Sequence, residues 1–343
     1  MMEFLSVLWF FLIFVLIAGY FVLDGFDLGI GVLSPFIAKN DEERAVLRRA
    51  IGPVWDGNEV WLLTAGGALF AAFPDAYATT FSGFYLAVML VLFGLIVRAV
   101  SFEFRAGDPS WGKLWDACFF VGSLLPALLL GVAVGNIFAG IPMDVAGDYA
   151  GVPLIGLITP FTLLTGLLGL AMFLAAGACW AALKAPLPSC LQARAARLRL
   201  PLQVIALVLF AVVSVYALVL VGPEMDPNLG ILRWLFAALV VGLLASLVVG
   251  KTSGDDLKAF LAQSASMIAL VALLACSMFP VLVNATADSV GPAITLANAA
   301  SSELSLTWMT IILCIGLPLV LVYHVVIYRT FRGRVNPADL EEY

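Results

Sequence analysis

Long apolar segments separated by short polar connections run along the whole chain of 343 residues. A transmembrane helix needs about 20 consecutive apolar residues, and nine segments reach or exceed that length. They cover residues 5–37, 51–74, 77–101, 115–140, 154–183, 201–222, 230–250, 260–283 and 305–330. The pattern predicts an all-α polytopic membrane protein whose residues 1–343 form a single transmembrane domain.

The first and fifth segments are longer than one membrane crossing requires, so we expect these helices to tilt, bend or project into water. In the first segment, a bend is expected at Gly25, Gly29, Gly31 or Pro35. The segment is also too long for the apolar region of a cleaved signal, and no basic stretch precedes it. We therefore expect it to be retained as a helix.

Basic residues concentrate at the ends of alternate spans. Spans 1, 3, 5, 7 and 9 are flanked by 16 of the 17 lysines and arginines, and Arg233 is the exception. The sixteen are Lys39, Arg44, Arg48, Arg49, Arg98, Arg105, Lys113, Lys184, Arg194, Arg197, Arg199, Lys251, Lys258, Arg329, Arg332 and Arg334. Because cytoplasmic connections are enriched in basic residues, we expect the N-terminus outside and the C-terminus in the cytoplasm.

The composition narrows the classes of function. Hydrophobic residues make up 63% of the chain and charged residues 12%, whereas soluble domains carry about 25% charged residues. The five cysteines form no CxxC pair, so we interpret them as small apolar residues. Haem and copper sites need particular combinations of His, Cys and Met, and the single His324 makes a haem bound by this chain unexpected. No motif indicates a nucleotide-driven pump.

Two carboxylates lie within the first predicted span, in the stretch LDGFDLGIG. Asp24 and Asp27 are three residues apart and share one face of a helix. Asp27 precedes Lys39 by a helical distance of roughly 18 Å, which places it inside the hydrocarbon layer. A carboxylate there must be paired, protonated or hydrated. A proton or ion relay and a structural hydrogen bond to a neighbouring helix are both consistent with it.

A second acidic pair opens the second span, in the stretch GPVWDGNEVWLL. Asp56 lies in the first helical turn after Pro53, where the helix dipole favours acids, and Glu59 lies one turn deeper. If spans 1 and 2 are neighbours, the four carboxylates could line an acidic entry from the cytoplasm for protons or for a cation such as Na⁺.

Three further residues are candidates for supporting these acids. They are Trp55, Asn58 and Arg98. Arg98 is expected either as a counter-charge near the inner interface or as a side chain that reaches the interface by snorkelling.

The stretches LDGFDLGIG, GPVWDGNEVWLLTAGGALFAAFP and FSGFYLAVMLVLFGLIVRAVSFEFR resemble subunit II of the cytochrome bd-type quinol oxidases, including the cyanide-insensitive branch. The WDGNEVWL block and the glycines after it are the most specific part. Weaker similarity extends through LWDACFFVGSLLPALLLGVAVGN and the MFP stretch to SSELSLTWM and FRGRV. The resemblance therefore covers essentially the whole chain.

The resemblance implies two four-helix bundles plus a peripheral helix. It also implies a heterodimer in the bacterial inner membrane with a haem-bearing subunit I, which holds haems b558, b595 and d. Such a complex oxidises quinol near the outer face and reduces dioxygen to water. Subunit II usually ligates no haem, although some members hold a structural quinone, and the resemblance leaves room for a small single-span accessory subunit. Membrane lipid is an expected partner and nucleic acid is not.

By motif match, the resemblance implies that Asp27 of DGFD and Asp56 of WDGN belong to a cytoplasmic proton path. From their positions we add Glu59, Asp24 and Arg98 as weaker candidates. One region departs from the family pattern. Asn298 and Ala299 stand where many members have Trp-Asp, so no function is assigned to that loop.

Two alternatives to this interpretation stay open on the sequence. One is a secondary transporter coupled to protons or sodium, although no inverted pair of broken spans is apparent. The other is a purely structural subunit that contributes no proton path.

Overall fold

The computed structural model describes residues 1–107, 109–222, 229–250 and 255–336. The α-helices are α1 (Met2–Leu23), α2 (Gly25–Ile37), α3 (Asp41–Ile51), α4 (Trp55–Ala72), α5 (Pro74–Gly83), α6 (Tyr85–Gly107), α7 (Gly112–Ala139), α8 (Pro160–Lys184), α9 (Cys190–Tyr216), α10 (Gly230–Gly250), α11 (Asp256–Met278), α12 (Leu296–Ala299) and α13 (Glu303–Thr330). Two short strands, β1 (Val281–Val283) and β2 (Ile294–Thr295), pair antiparallel. The predicted all-α membrane class is confirmed.

Seven helical segments in the described ranges are long and apolar enough to cross a membrane. They are Met2–Ile37, Tyr85–Arg105, Gly112–Ala139, Pro160–Lys184, Cys190–Val221, Asp256–Met278 and Glu303–Thr330. The α4 helix and the apolar part of α10 lie where the second and seventh spans are predicted, but they are not among the seven. Since α4 has 18 residues that include Asp56 and Glu59, its apolar character is reduced. The count of nine spans stays a prediction.

Local capping moves the start of two helices away from the predicted spans. The α8 helix begins at Pro160, because the Thr159 side chain accepts a hydrogen bond from the Thr162 backbone amide and so caps the first turn. The fifth span is therefore shorter at its start than residues 154–183. The α9 helix begins at Cys190 with Ser189 as its cap, so the sixth helical segment begins well before residue 201.

Two other boundaries differ from the predicted spans. The α5 helix ends at Gly83 and α6 begins at Tyr85, so residues 77–101 are divided between two helices. The α11 helix ends at Met278, and β1 occupies the end of the predicted span 260–283.

The first span is interrupted at Asp24, which separates α1 from α2. The glycines of α2 serve mainly to allow close packing. A Cβ atom on Gly29 would lie 2.0 Å from the Phe173 carbonyl oxygen, and one on Gly177 would lie 2.5 Å from the Gly29 carbonyl carbon. The backbones of α2 and α8 therefore touch, as small residues permit in membrane proteins.

We expect Gly29→Ala to destabilise the fold by up to about 3 kcal/mol, because the added methyl group meets backbone that cannot move aside. Thermal unfolding of the purified complex measures the effect. Gly67→Ala is the matched control, since a methyl group added to Gly67 on α4 would have no atom within 4 Å. Equal stability of the two variants would contradict the close α2–α8 contact.

Several helix ends meet at one end of the bundle, which we call the basic end. Arg194 donates to the Ile37 carbonyl, and Arg105 bonds both Asp41 and Asp116. The Val335 amide donates to the carbonyl oxygen of residue 184 at 2.7 Å, which ties the segment after α13 to α8. Of the basic residues assigned to this side by the sequence pattern, Lys251 lies outside the described residues.

The opposite end is closed by loops and by the two strands. The Asn284 amide side chain donates to the Phe138 carbonyl at 2.8 Å, and the Ile141 backbone amide donates to the Asn284 carbonyl at 3.0 Å. In the loop that departs from the family pattern, Asn298 accepts from the Thr295 amide and donates to the Ala293 carbonyl. Asn298 therefore stabilises the short α12 turn.

Candidate functional site

A buried arginine joins three helices near the basic end. Arg98 of α6 is 2% exposed and its Nη2 atom lies 2.7 Å from Asp24 Oδ1, at the α1–α2 junction. The same atom lies 3.1 Å from Glu59 Oε1 on α4, close enough for an ion pair. Arg98 is thus a buried counter-charge and does not snorkel to the surface. Burying such a pair is costly unless both partners are present.

Asp27 is held by a different partner. The Asn58 side-chain amide donates to Asp27 Oδ2 at 2.7 Å and to the Leu23 carbonyl at 3.0 Å. The Asn58 carbonyl oxygen in turn accepts from the Tyr328 hydroxyl of α13 at 3.1 Å. Asp27 and Asn58 are both completely buried, so α1, α2, α4 and α13 converge on this carboxylate.

Five buried atoms in this region have no hydrogen-bond partner among the described residues. They are Tyr20 Oη, Asp24 Oδ2, Asp27 Oδ1, Glu59 Oε1 and Arg98 Nη1. Glu59 Oε1 lies within ion-pair distance of Arg98 but makes no hydrogen bond with it. Buried polar atoms are normally hydrogen-bonded to protein or to ordered water. The set also pairs three carboxylates with one guanidinium. The geometry therefore suits bound water, and a proton or another cation would balance the excess negative charge.

Asp56 does not join this buried set. Its side chain is exposed in the first turn of α4, while Glu59, one turn deeper, is 23% exposed. The sequence pattern predicts four carboxylates in one group. The structure brings together Asp24, Asp27 and Glu59 and leaves Asp56 exposed in the first turn of α4.

Trp55 contributes packing beside the arginine. Its ring centroid lies 6.0 Å from Arg98 Cζ and 5.7 Å from the ring of Phe102. Sequence reasoning missed Tyr328, because nothing in its spacing on the last span indicates a contact 270 residues away.

Both ring nitrogens of the single histidine, His324, take part in hydrogen bonds. Trp61 Nε1 donates to His324 Nε2 at 3.2 Å, and His324 Nδ1 lies 2.9 Å from the Val320 carbonyl oxygen. A neutral imidazole with its proton on Nδ1 satisfies both contacts. His324 therefore links α13 to α4. Among the described residues, no group of three or more His, Cys, Asp or Glu is arranged to hold a metal ion.

An apolar cavity of about 330 Å³ lies between α7, α8, α9, α10 and α11. Aromatic side chains form much of its wall, with Phe138, Phe161, Phe173 and Phe210 among them, and Arg233 contributes a polar group. The sequence pattern did not indicate this cavity, because its wall forms only where the consecutive helices α7 to α11 pack together and Phe21 of α1 joins them.

Comparison with known proteins identifies the class. The family model for cytochrome bd terminal oxidase subunit II matches residues 5–331. Cytochrome bd-I ubiquinol oxidase subunit 2 of Escherichia coli strain K12 is 34% identical, and the alignment covers 99% of this chain and 97% of that protein. Cytochrome bd ubiquinol oxidase subunit 2 of Bacillus subtilis strain 168 is 35% identical over 96% of each chain. The chain therefore belongs to the cytochrome bd terminal oxidase subunit II family.

A solved structure agrees with this assignment at the level of the fold. The structure of bd oxidase from Geobacillus thermodenitrificans matches with a TM-score of 0.72 at 16% identity, covering 95% of this chain and 98% of the matched chain. The resemblance inferred from the three motifs is confirmed, and the transporter alternative is not favoured.

Proposed function

We propose that this chain is the subunit of a bd-type quinol oxidase that ligates no haem. Its partner would be a subunit I carrying haems b558, b595 and d, and the pair would oxidise quinol and reduce dioxygen to water. The family match over residues 5–331 supports this assignment. The bacterial relatives support a position in the bacterial inner membrane. The charge bias supports an orientation with the N-terminus outside and the C-terminus in the cytoplasm.

This assignment is tested by purifying the chain and identifying the subunits and haems that come with it. A tagged chain expressed with its neighbouring genes should bring down a second, haem-bearing subunit, and the complex should consume oxygen when supplied with quinol. A preparation with no haem absorbance and no second chain would contradict the assignment and favour the transporter alternative. The same preparation would reveal a small accessory subunit.

The second part of the proposal is that the buried acids form a proton path from the cytoplasm. Asp56 would receive protons at the surface and Glu59, one helical turn deeper, would pass them inward. Asp24 and Asp27 would complete the path, and Arg98 would hold the acids in place. The observation that supports this order is the exposure gradient from Asp56 through Glu59 to the buried aspartates.

The apolar cavity formed by α7 to α11 is a candidate binding site for the structural quinone that some members of the resembled family hold. Its largely apolar wall suits an isoprenoid chain, and Arg233 offers a donor for a carbonyl group. We propose this cavity as the place where such a quinone would bind in this chain.

We expect Asp56→Asn to lower quinol-driven oxygen uptake several-fold with unchanged haem spectra, because an amide cannot release a proton to Glu59. The measurement is oxygen consumption by the purified complex. Asp75→Asn is the matched control, since Asp75 is an exposed acid in the first turn of α5 at the opposite end. Both variants lose the same favourable dipole interaction. If both variants keep full uptake, Asp56 serves only to stabilise the start of α4.

A further inference from the structure

A second cavity, of about 200 Å³, opens at the basic end. It lies between the end of α3 with the turn before α4, the end of α8, and the end of α13 with the segment that follows it. Four of the residues around it are basic, and none of the described residues around it is Asp or Glu. The four are Arg49, Lys184, Arg332 and Arg334. The wall of the cavity is therefore rich in basic side chains.

Lys184 is the most informative of these side chains. It is 9% exposed, its Nζ atom donates to the Phe331 carbonyl at 2.6 Å, and it lies 4.9 Å from the ring centroid of Trp180. Within the described ranges it forms no ion pair with a carboxylate. A buried ammonium group is unfavourable without a compensating negative charge. Lys184 lines the cavity, and only one hydrogen bond from its three N–H donors is seen among the described residues.

The neighbouring arginines do not remove the imbalance. Asp256 binds both Arg199 and Arg334, so this group of three carries a net positive charge. Arg334 also donates to the carbonyls of Ala182 and Ala185, which fixes its position at the cavity wall. Arg332 is exposed and has no ion pair with any acid in the described part of the chain.

We propose that this cavity binds the phosphate group of an anionic glycerophospholipid from the adjacent leaflet. Arginine and lysine together provide several charge-assisted donors for phosphate oxygens. The cavity lies at the ends of membrane helices, where a lipid head group can reach it while its acyl chains lie beside exposed apolar residues of α13. Basic pockets between helices on the cytoplasmic side are typical sites for anionic head groups. This inference does not depend on the proton path.

Native mass spectrometry of the purified, delipidated complex tests the proposal. Phosphatidylglycerol, phosphatidylcholine and inorganic phosphate are titrated separately. We expect phosphatidylglycerol to bind more tightly than phosphatidylcholine, and Arg332→Gln and Lys184→Gln each to weaken its binding about fivefold. Arg329→Gln is the matched control, because Arg329 is an exposed arginine at the end of α13 that does not line the cavity. It should bind phosphatidylglycerol as the wild type does.

Three outcomes would overturn the proposal. Unchanged phosphatidylglycerol binding in both Arg332→Gln and Lys184→Gln would exclude the cavity as the binding site. If Lys184→Gln fails to fold, unchanged binding in Arg332→Gln is sufficient to exclude it. Displacement of the lipid by excess inorganic phosphate would assign the cavity to a soluble anion. Residues 337–343 carry three acids, so binding seen only in a chain that ends at Asn336 would assign the cavity to that acidic tail.

Discussion

Asp27→Asn is expected to reduce quinol-driven oxygen uptake roughly 100-fold, which is within the usual range for loss of a proton-transferring group. The substitution preserves shape, and an asparagine carbonyl can still accept the hydrogen bond that Asn58 donates at 2.7 Å. What it removes is the capacity of a fully buried side chain to take up and release a proton. The haem spectra and the thermal stability of the complex should therefore stay at wild-type values.

Asp27→Glu provides the control for this experiment, because it keeps the titrating group and shifts it by one methylene. We expect it to recover a substantial part of the uptake, whereas a residue that merely packs would be harmed more by the added volume than by the amide. Full uptake in Asp27→Asn would leave Asp27 as a structural hydrogen-bond acceptor, and the subunit would then have a purely structural role at this position.

Arg98→Met is expected to have the largest effect on stability. It removes the only cation among the described residues that contacts Asp24 and Glu59. Removing one partner of a buried ion pair costs about 3–5 kcal/mol, because the remaining charge is left uncompensated. We expect a lower yield of assembled complex and a lower unfolding temperature in detergent.

Two further variants separate the ion pair from general packing. Asp24→Asn added to Arg98→Met should restore part of the lost stability, since the stranded carboxylate is then neutral. Arg329→Met, an exposed arginine on α13, should leave yield and unfolding temperature unchanged. If the double variant is no more stable than Arg98→Met, the arginine stabilises the fold through its packing beside Trp55, and the charge pairing contributes little.

The buried acids Asp24 and Asp27 show how much of a site can be predicted from a sequence motif alone. The positions of Asp24 and Asp27 within an apolar run were enough to predict buried carboxylates that need partners, because the cost of burying a charge depends on depth in the membrane. The sequence names Arg98 and Asn58 as candidate partners but does not assign either to a particular acid. The separation of Arg98 from Asp24 by 74 residues carries no periodic signal.

The second acidic pair, Asp56 and Glu59, shows what helical spacing cannot predict. A spacing of three residues predicts that Asp56 and Glu59 share a helix face, and on that basis both were expected in one acidic group. The structure separates them by exposure, since Asp56 lies in the first turn and Glu59 faces Arg98. Helical spacing specifies direction around an axis, but it does not specify what the neighbouring helices cover.

By itself, the sequence determined the membrane class, the approximate positions of the helices, the charge bias between the two ends and the family. Each of these follows from local properties, namely runs of apolar residues, the distribution of lysine and arginine, and short motifs. Only the tertiary structure decided the interruption at Asp24, the binding of Tyr328 to Asn58, the His324–Trp61 link and the basic cavity beside Lys184. These features arise where helices distant in sequence pack together, and their geometry depends on contacts that no local pattern encodes.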